Sequence, residues 1–225
     1  MSKIFIFILF YILGVVYGTS DAKQDVGPNR LELLSGIKRS KDEKSFWDAK
    51  FSKNNYVFGK IPAKFLAQNY QFIPAQSTVL DIGMGEGRNA VFLAQKGYLV
   101  TGIDISSVAI NKSRALALEY GVRINSIATS VEKYVPEKTF DAIICFYYVD
   151  RKIVSKMLSW LRPGGIIVFE SHTEKQKGVK GFEHYNIEYL LKPGELLTLF
   201  KGTQVLKYEE PLHLQEFTSS IIVKK

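Results

Sequence analysis

From Thr78 onward the chain alternates short apolar runs with longer segments whose apolar residues recur at helical spacing. Apolar-rich runs of this length read as strands of a buried sheet, and the segments between them as amphipathic helices. The runs are Thr78–Ile82, Leu99–Ile103, Arg123–Ala128, Phe140–Tyr147 and Gly165–Ser171. Between them, a helix is predicted from Gly87 to Lys96, stopped by Gly97. A second starts at a Ser106 or Ser107 cap, carries Val108, Ala109, Ala115, Leu116 and Leu118, and ends at Gly121. A third covers Asp150 to Leu161. The tail breaks the rhythm: Pro193-Gly194-Glu195 opens a short helix to Phe200, and Gln204–Glu209 and Ser219–Lys225 follow as two strands. Regular alternation implies an α/β fold with a mostly parallel sheet, helices on both faces and a ligand at the carboxyl edge where strand order reverses.

The pattern upstream is different. Lys3 precedes an almost unbroken apolar run, Ile4 to Val16, followed by Tyr17-Gly18-Thr19-Ser20-Asp21. Thirteen apolar residues after a basic start, with Val16 and Gly18 as small residues before a cut, suit a secretory signal over 1–18. A spanning helix needs about 20 residues, so an uncleaved anchor is the second reading and a buried helix the third. Residues 19–45 are polar and read as a linker, leaving 46–225 as the folded domain. That domain opens with the aromatic stretch Phe46 to Phe58, and Pro62 then starts a helix reaching Tyr70. With 225 residues there is room for one full core. The formal charge of +8 is spread among acidic residues, which favours a solvated basic surface over a nucleic-acid interface. A single cysteine, Cys145 in an apolar strand, excludes an intrachain disulfide.

Candidate chemistry concentrates between residues 79 and 104. Val79-Leu80-Asp81-Ile82-Gly83-Met84-Gly85-Glu86-Gly87 is a strand running into a glycine turn that opens a helix. Val100-Thr101-Gly102-Ile103-Asp104 is a strand ending in a carboxylate. Glycines at such a turn let main-chain amides approach a bulky cofactor. A dinucleotide fingerprint starting at Gly83 needs a third glycine at position 88, where the chain has Arg88, so an NAD-dependent dehydrogenase is disfavoured.

The G-x-G-x-G turn after an acidic strand residue, with Asp104 closing the next strand, resembles the class I S-adenosylmethionine-dependent methyltransferases. Phe140-Asp141-Ala142-Ile143-Ile144-Cys145 and Leu161-Arg162-Pro163-Gly164-Gly165-Ile166-Ile167-Val168-Phe169-Glu170 look like that family's fourth and fifth strands. The resemblance implies a Rossmann-like seven-stranded sheet closed by a C-terminal antiparallel hairpin, with S-adenosylmethionine as cofactor. It also implies a set of cofactor-binding positions. Asp104 would accept the ribose hydroxyls, Asp81 would order the turn and the methionine amino group, and Ile105 would pack on the adenine. Gly83, Met84, Gly85 and Gly87 would form the turn, Thr129 and Ser130 would stand near the adenine, and Cys145 would close the fourth strand. Adenine recognition is the weakest part of the match, because Ala128-Thr129-Ser130-Val131-Glu132 lacks the aspartate of many relatives.

In-line methyl transfer asks mainly for positioning, and for a base only when the nucleophile arrives protonated. Cys145-Phe146-Tyr147-Tyr148-Val149-Asp150 lacks the Asn/Asp-Pro-Pro-aromatic turn of enzymes that methylate amino groups. Tyr147 at that strand end, His172 after the fifth strand and Arg88 at the helix start are the catalytic candidates. His184 and His213 have no spacing that pairs them with His172, so no metal site is expected. Trp47 to Phe51 with Tyr56 to Pro62, Gly85 to Ala94, and Leu190-Leu191-Lys192-Pro193-Gly194-Glu195-Leu196 resemble the tellurite-resistance and thiopurine-type small-molecule methyltransferases. In these the aromatic segment is a lid, giving Trp47 and Tyr56 a role. The resemblance implies methyl transfer to a small, soft sulfur, selenium or tellurium nucleophile. The rival readings are an RNA or protein methyltransferase and a non-catalytic cofactor binder. The export signal places the body in the secretory pathway, in the periplasm or anchored at a membrane, with a cytoplasmic location as the alternative. Export also conflicts with a cofactor made in the cytosol.

Overall fold

The computed structural model describes residues 43–179, 186–211 and 217–225. The signal segment, nearly all of the linker, His184 and His213 lie outside the described residues. Seven strands form one sheet: β1 (Thr78–Ile82), β2 (Leu99–Asp104), β3 (Asn125–Ala128), β4 (Phe140–Phe146), β5 (Leu161–His172), β6 (Gln204–Glu209) and β7 (Thr218–Lys224). The helices are α1 (Glu43–Phe51), α2 (Lys64–Asn69), α3 (Arg88–Gln95), α4 (Ser107–Glu119), α5 (Ile153–Trp160) and α6 (Glu195–Leu199).

Strand order is β3-β2-β1-β4-β5-β7-β6. The pairs from β3 to β5 are parallel, whereas β7 runs antiparallel to both β5 and β6. This is the expected Rossmann-like sheet with its closing hairpin. Order reverses between β1 and β4, so a crevice opens above their carboxyl ends, where such sheets take ligands.

Pleating divides the core in two. Leu80, Ile82, Ile143, Cys145, Ile167 and Phe169 pack with Met157 of α5 and Leu196 of α6. Val79, Ile144, Val168 and Ile222 pack on the other face with Leu66 of α2, Leu93 of α3 and Ile110 of α4. Asp81, Glu170 and His172 alternate with residues of the first core, which places them on the second face at its carboxyl end.

Strand β5 begins earlier than Gly165. Leu161 pairs with Phe140, the chain loops out, and pairing resumes between Ile166 and Ala142. Gly165 is required there, since a Cβ would lie 2.7 Å from Leu161 Cγ and 2.9 Å from the Asp141 carbonyl.

Gly87 owes its identity to packing as much as to its φ of +90°. A Cβ at 87 would lie 2.7 Å from Ser113 Cβ, because α3 starts directly against α4. Gly87→Ala therefore combines left-handed strain with overpacking and is expected to cost about 2–4 kcal/mol. A fall in the urea midpoint at unchanged m-value checks this.

Candidate active site

The turn between β1 and α3 is held at both ends. Met84 N–H donates to the Ile103 carbonyl at 3.0 Å, and Gly85 N–H donates to Asp104 Oδ2 at 2.8 Å. Asp104 Oδ1 accepts the Ser106 N–H at 2.8 Å. The carboxylate at the end of β2 is thus fixed against the glycine turn. Gly83 (φ +66°) and Gly85 (φ +59°) take the left-handed conformation that the turn needs. Met84 turns its side chain inward: a Cβ on Gly102 would lie 1.9 Å from Met84 Sδ, so the thioether covers β2. Cys145 is likewise fully buried, its thiol 3.4 Å from the Tyr148 carbonyl.

Asp81 is 2% exposed, and its Oδ2 has no hydrogen-bond partner among the described residues. Burial raises its pKa well above the usual carboxylate range, the nearby Asp104 adds to this, and the Arg88 guanidinium partly offsets it. A buried acceptor beside a glycine turn and a second carboxylate fits a ligand that brings a cationic donor and hydroxyls. S-adenosylmethionine, with its α-amino group and ribose, carries both, so the residues present fit the cofactor that the sequence implied.

The three catalytic candidates meet on one side of this turn. Arg88 donates to the Phe58 carbonyl at 3.1 Å and stands 5.7 Å from the Tyr147 ring centre. The Tyr147 and His172 rings are 4.9 Å apart. Tyr147 has a φ of +58°, which breaks the pleat at the end of β4, and its hydroxyl donates to Glu170 Oε1 at 3.0 Å. Tyr148 instead lies on Gly83, with its Cβ 3.2 Å from where a glycine Cβ would stand. Glu170 is a functional candidate that the sequence reading missed. The available signal was a carboxylate near the end of an otherwise apolar strand.

The aromatic segment covers the other side. Trp47 stacks on Phe51 at 5.5 Å, and Phe51 Cζ reaches to 3.7 Å from the Cβ position of Gly85. Trp47 shares a cluster with Phe51 and Ala109, against which Ile105 and Val108 pack. Asp48 fastens α1 to the start of α4 by accepting from Ser106 Oγ at 2.7 Å and from the Val108 N–H at 3.3 Å. Burial acts to raise the Asp48 pKa, but hydrogen bonds from Lys44, Ser106 and Val108 win and lower it. Tyr56 is not part of this cover. It packs on Val91 and Leu116, its hydroxyl donating to the Lys112 carbonyl at 3.3 Å. The strap it belongs to is held by Glu86, which accepts the Val57 N–H at 2.7 Å and pairs with Lys112 at 2.8 Å.

At the adenine end, Thr129 N–H donates to the Asp104 carbonyl at 2.9 Å, and the Ser130 carbonyl accepts the Tyr134 N–H at 3.0 Å. Pro193-Gly194-Glu195 has a structural task. Glu195 binds Arg151 through both oxygens, at 2.5 and 2.9 Å, and accepts the Lys192 N–H at 2.8 Å.

A Rossmann-like sheet with a glycine turn after β1 and a carboxylate ending β2 defines a nucleotide-cofactor-binding protein. Residues 79–165 match the family described as methyltransferase domain. The ubiquinone biosynthesis O-methyltransferase of Rickettsia canadensis is 26% identical over 145 residues, 56% of this chain and 61% of that relative. The chain therefore spans less than two thirds of that relative's length. Among solved structures, TehB from Haemophilus influenzae superposes with a TM-score of 0.62 at 17% identity, covering 81% of this chain and 66% of that one. An S-adenosylmethionine-dependent methyltransferase from Thiobacillus denitrificans in complex with S-adenosyl-L-homocysteine gives 0.59 at 18% identity, covering 77% and 95%. Over residues 79–165 and in its fold, the chain is thus similar to the class I S-adenosylmethionine-dependent methyltransferases.

Proposed function

We propose that this protein transfers a methyl group from S-adenosylmethionine to a small-molecule nucleophile held beside Tyr147. The cofactor supplies an electrophilic methyl on a sulfonium. The protein supplies Asp81 and Asp104 to hold and orient the cofactor, and the apolar cover of Trp47 and Phe51 to exclude water. The observation that carries this reading is the juxtaposition of Asp81, whose Oδ2 has no partner among the described residues, and the Asp104-bound turn with the polar group Arg88, Tyr147 and His172.

Two acceptor classes follow. A soft sulfur, selenium or tellurium nucleophile needs no strong base and rests on the resemblance to tellurite-resistance and thiopurine-type enzymes. A hydroxyl acceptor has the support of the Tyr147–Glu170 contact and of the O-methyltransferase name of the sequence relative. The secretory or anchoring role of residues 1–18 belongs to the same proposal, because it decides where acceptor and cofactor meet.

The test is formation of S-adenosylhomocysteine by the full chain with thiols, selenols, tellurium oxyanions under reduction, phenols and total RNA as separate acceptors. Turnover with a small molecule is expected. Turnover with RNA alone supports a nucleic-acid methyltransferase, and cofactor binding without any turnover supports a sensor.

A further inference from the structure

Asp48 reaches further than a short helix requires. It lies on α1 beside Trp47, yet among the described residues its hydrogen-bond partners other than Lys44 belong to the segment that follows β2. Its Oδ1 accepts from Ser106 Oγ at 2.7 Å and from the Val108 N–H at 3.3 Å. Lys44, paired with Asp48, also donates to Ser107 Oγ at 3.2 Å. Ser106 is fully buried and passes the contact on: its hydroxyl accepts the Ala109 N–H at 3.1 Å, and its own N–H donates to Asp104 Oδ1 at 2.8 Å. Burial acts to raise the Asp48 pKa, but its hydrogen bonds lower it, so the group is an acceptor-only carboxylate at neutral pH. The single Ser106 hydroxyl proton therefore goes to Asp48, and the lone pairs stay with the cap of α4. Asp104 Oδ2 takes the Gly85 N–H at 2.8 Å, so a chain of hydrogen bonds runs from α1 through Ser106 and Asp104 to the glycine turn.

Apolar contacts make the same join. Ile105 and Val108, on either side of Ser106, pack against the cluster that holds Trp47 and Phe51. With nine residues, α1 is shorter than the roughly 12–15 at which an isolated helix becomes stable in water. Its place over the turn therefore comes from docking, and Asp48 supplies the polar half of that docking.

We propose that Asp48 is a positioning residue for the cofactor: through Ser106 it holds the Asp104 carboxylate and the Trp47–Phe51 cover in place as one unit. The inference rests on the methyltransferase reading and deepens it by making ribose binding and water exclusion interdependent. Asp48 acts by preorganisation. Without it, the fraction of chains with α1 docked and Asp104 set falls, and the apparent dissociation constant rises by the inverse of that fraction. By reciprocity, bound cofactor favours the docked α1.

The test is calorimetric titration of the full chain with S-adenosylmethionine. Asp48→Ala is expected to weaken binding about tenfold. Asp48→Asn keeps an oxygen for Ser106 and Val108 and should stay within about threefold of wild type, as should Lys44→Ala, which removes only an exposed ion pair. In an Asp104→Ala background the relay has lost its far end, and Asp48→Ala should then cost about threefold or less. Amide hydrogen exchange over Glu43–Phe51 gives a second readout that does not depend on any variant folding. Saturating S-adenosylhomocysteine should slow this exchange in wild type, and slow it more in Asp48→Ala. Unchanged affinity in folded Asp48→Ala, equal losses in the alanine and asparagine variants, or a full tenfold loss in the Asp104→Ala background overturns the proposal. So does exchange in α1 that ignores the bound cofactor. A folded wild type that binds no S-adenosylmethionine would instead sink the methyltransferase reading itself, so the two failures are distinct.

Discussion

Asp104→Ala is expected to weaken S-adenosylmethionine binding by about 100-fold or more in calorimetric titration of the full chain. The carboxylate has two tasks, and alanine removes both. It accepts main-chain N–H groups from Gly85 and Ser106, each at 2.8 Å, so it fixes the glycine turn relative to the start of α4. It also stands where β2 ends, the position that accepts the cofactor's hydroxyls in the proposed function. A hydrogen bond to a charged group contributes about 1.5–3 kcal/mol, and each 1.4 kcal/mol is a tenfold change, so losing two such bonds accounts for the expected size. Asp104→Asn separates the tasks. It keeps one oxygen for the Gly85 or Ser106 amide and is expected to lose about tenfold. Unchanged affinity in both variants of a folded protein would remove β2 from the cofactor site.

Much of this arrangement is legible in the sequence, and the parts that are not share a cause. The limits of β1 and β6 read correctly to the residue because turn residues and charged positions bracket short apolar runs. The predicted helix at Asp150 begins instead at Ile153, since Asp150 Oδ1 accepts the Lys152 N–H and holds a turn there. Alternation places Tyr147 and Tyr148 on opposite faces, yet it says nothing of the left-handed φ that turns the Tyr147 hydroxyl onto Glu170. Glu170 itself is invisible as a site residue for a related reason. Its partner Ser220 lies 50 residues away on β7, and the pairing exists only once antiparallel register sets them opposite each other. Tyr56 misleads for the opposite reason. It sits in an aromatic stretch, but its strap runs over α3 and α4 rather than over the turn. Local pattern fixes what each element is, whereas long-range register decides which side chains meet.

The Asp81 carboxyl gives the other large effect, with opposite signs in stability and in binding. Its pKa in the folded protein stands well above the ordinary aspartate value of about 3.9, because burial and the neighbouring Asp104 outweigh the help of Arg88. Below the ordinary value the folded and unfolded chains are both protonated here, and Asp81 carries no ionisation penalty. As pH rises past it, the unfolded chain ionises while the folded one keeps its proton, so folding stability is lost progressively until the raised pKa is passed. Asp81→Asn removes that titration. The urea midpoint of the cofactor-free protein should therefore fall less steeply with pH in the variant than in wild type, above about pH 4. Binding should respond the other way. A cationic amino group reaching the unpartnered Oδ2 stabilises the ionised carboxylate, so wild type should release protons on binding S-adenosylmethionine below the raised pKa. That release is read as a dependence of binding enthalpy on the buffer's ionisation enthalpy. Asp81→Asn should abolish the Asp81 contribution to it and weaken binding by about 10- to 100-fold, the loss of one charge-assisted hydrogen bond. A variant that gains nothing in relative stability at high pH, or that binds the cofactor as tightly as wild type, would place the cofactor's amino group elsewhere and leave Asp81 as a buried acid of the fold alone.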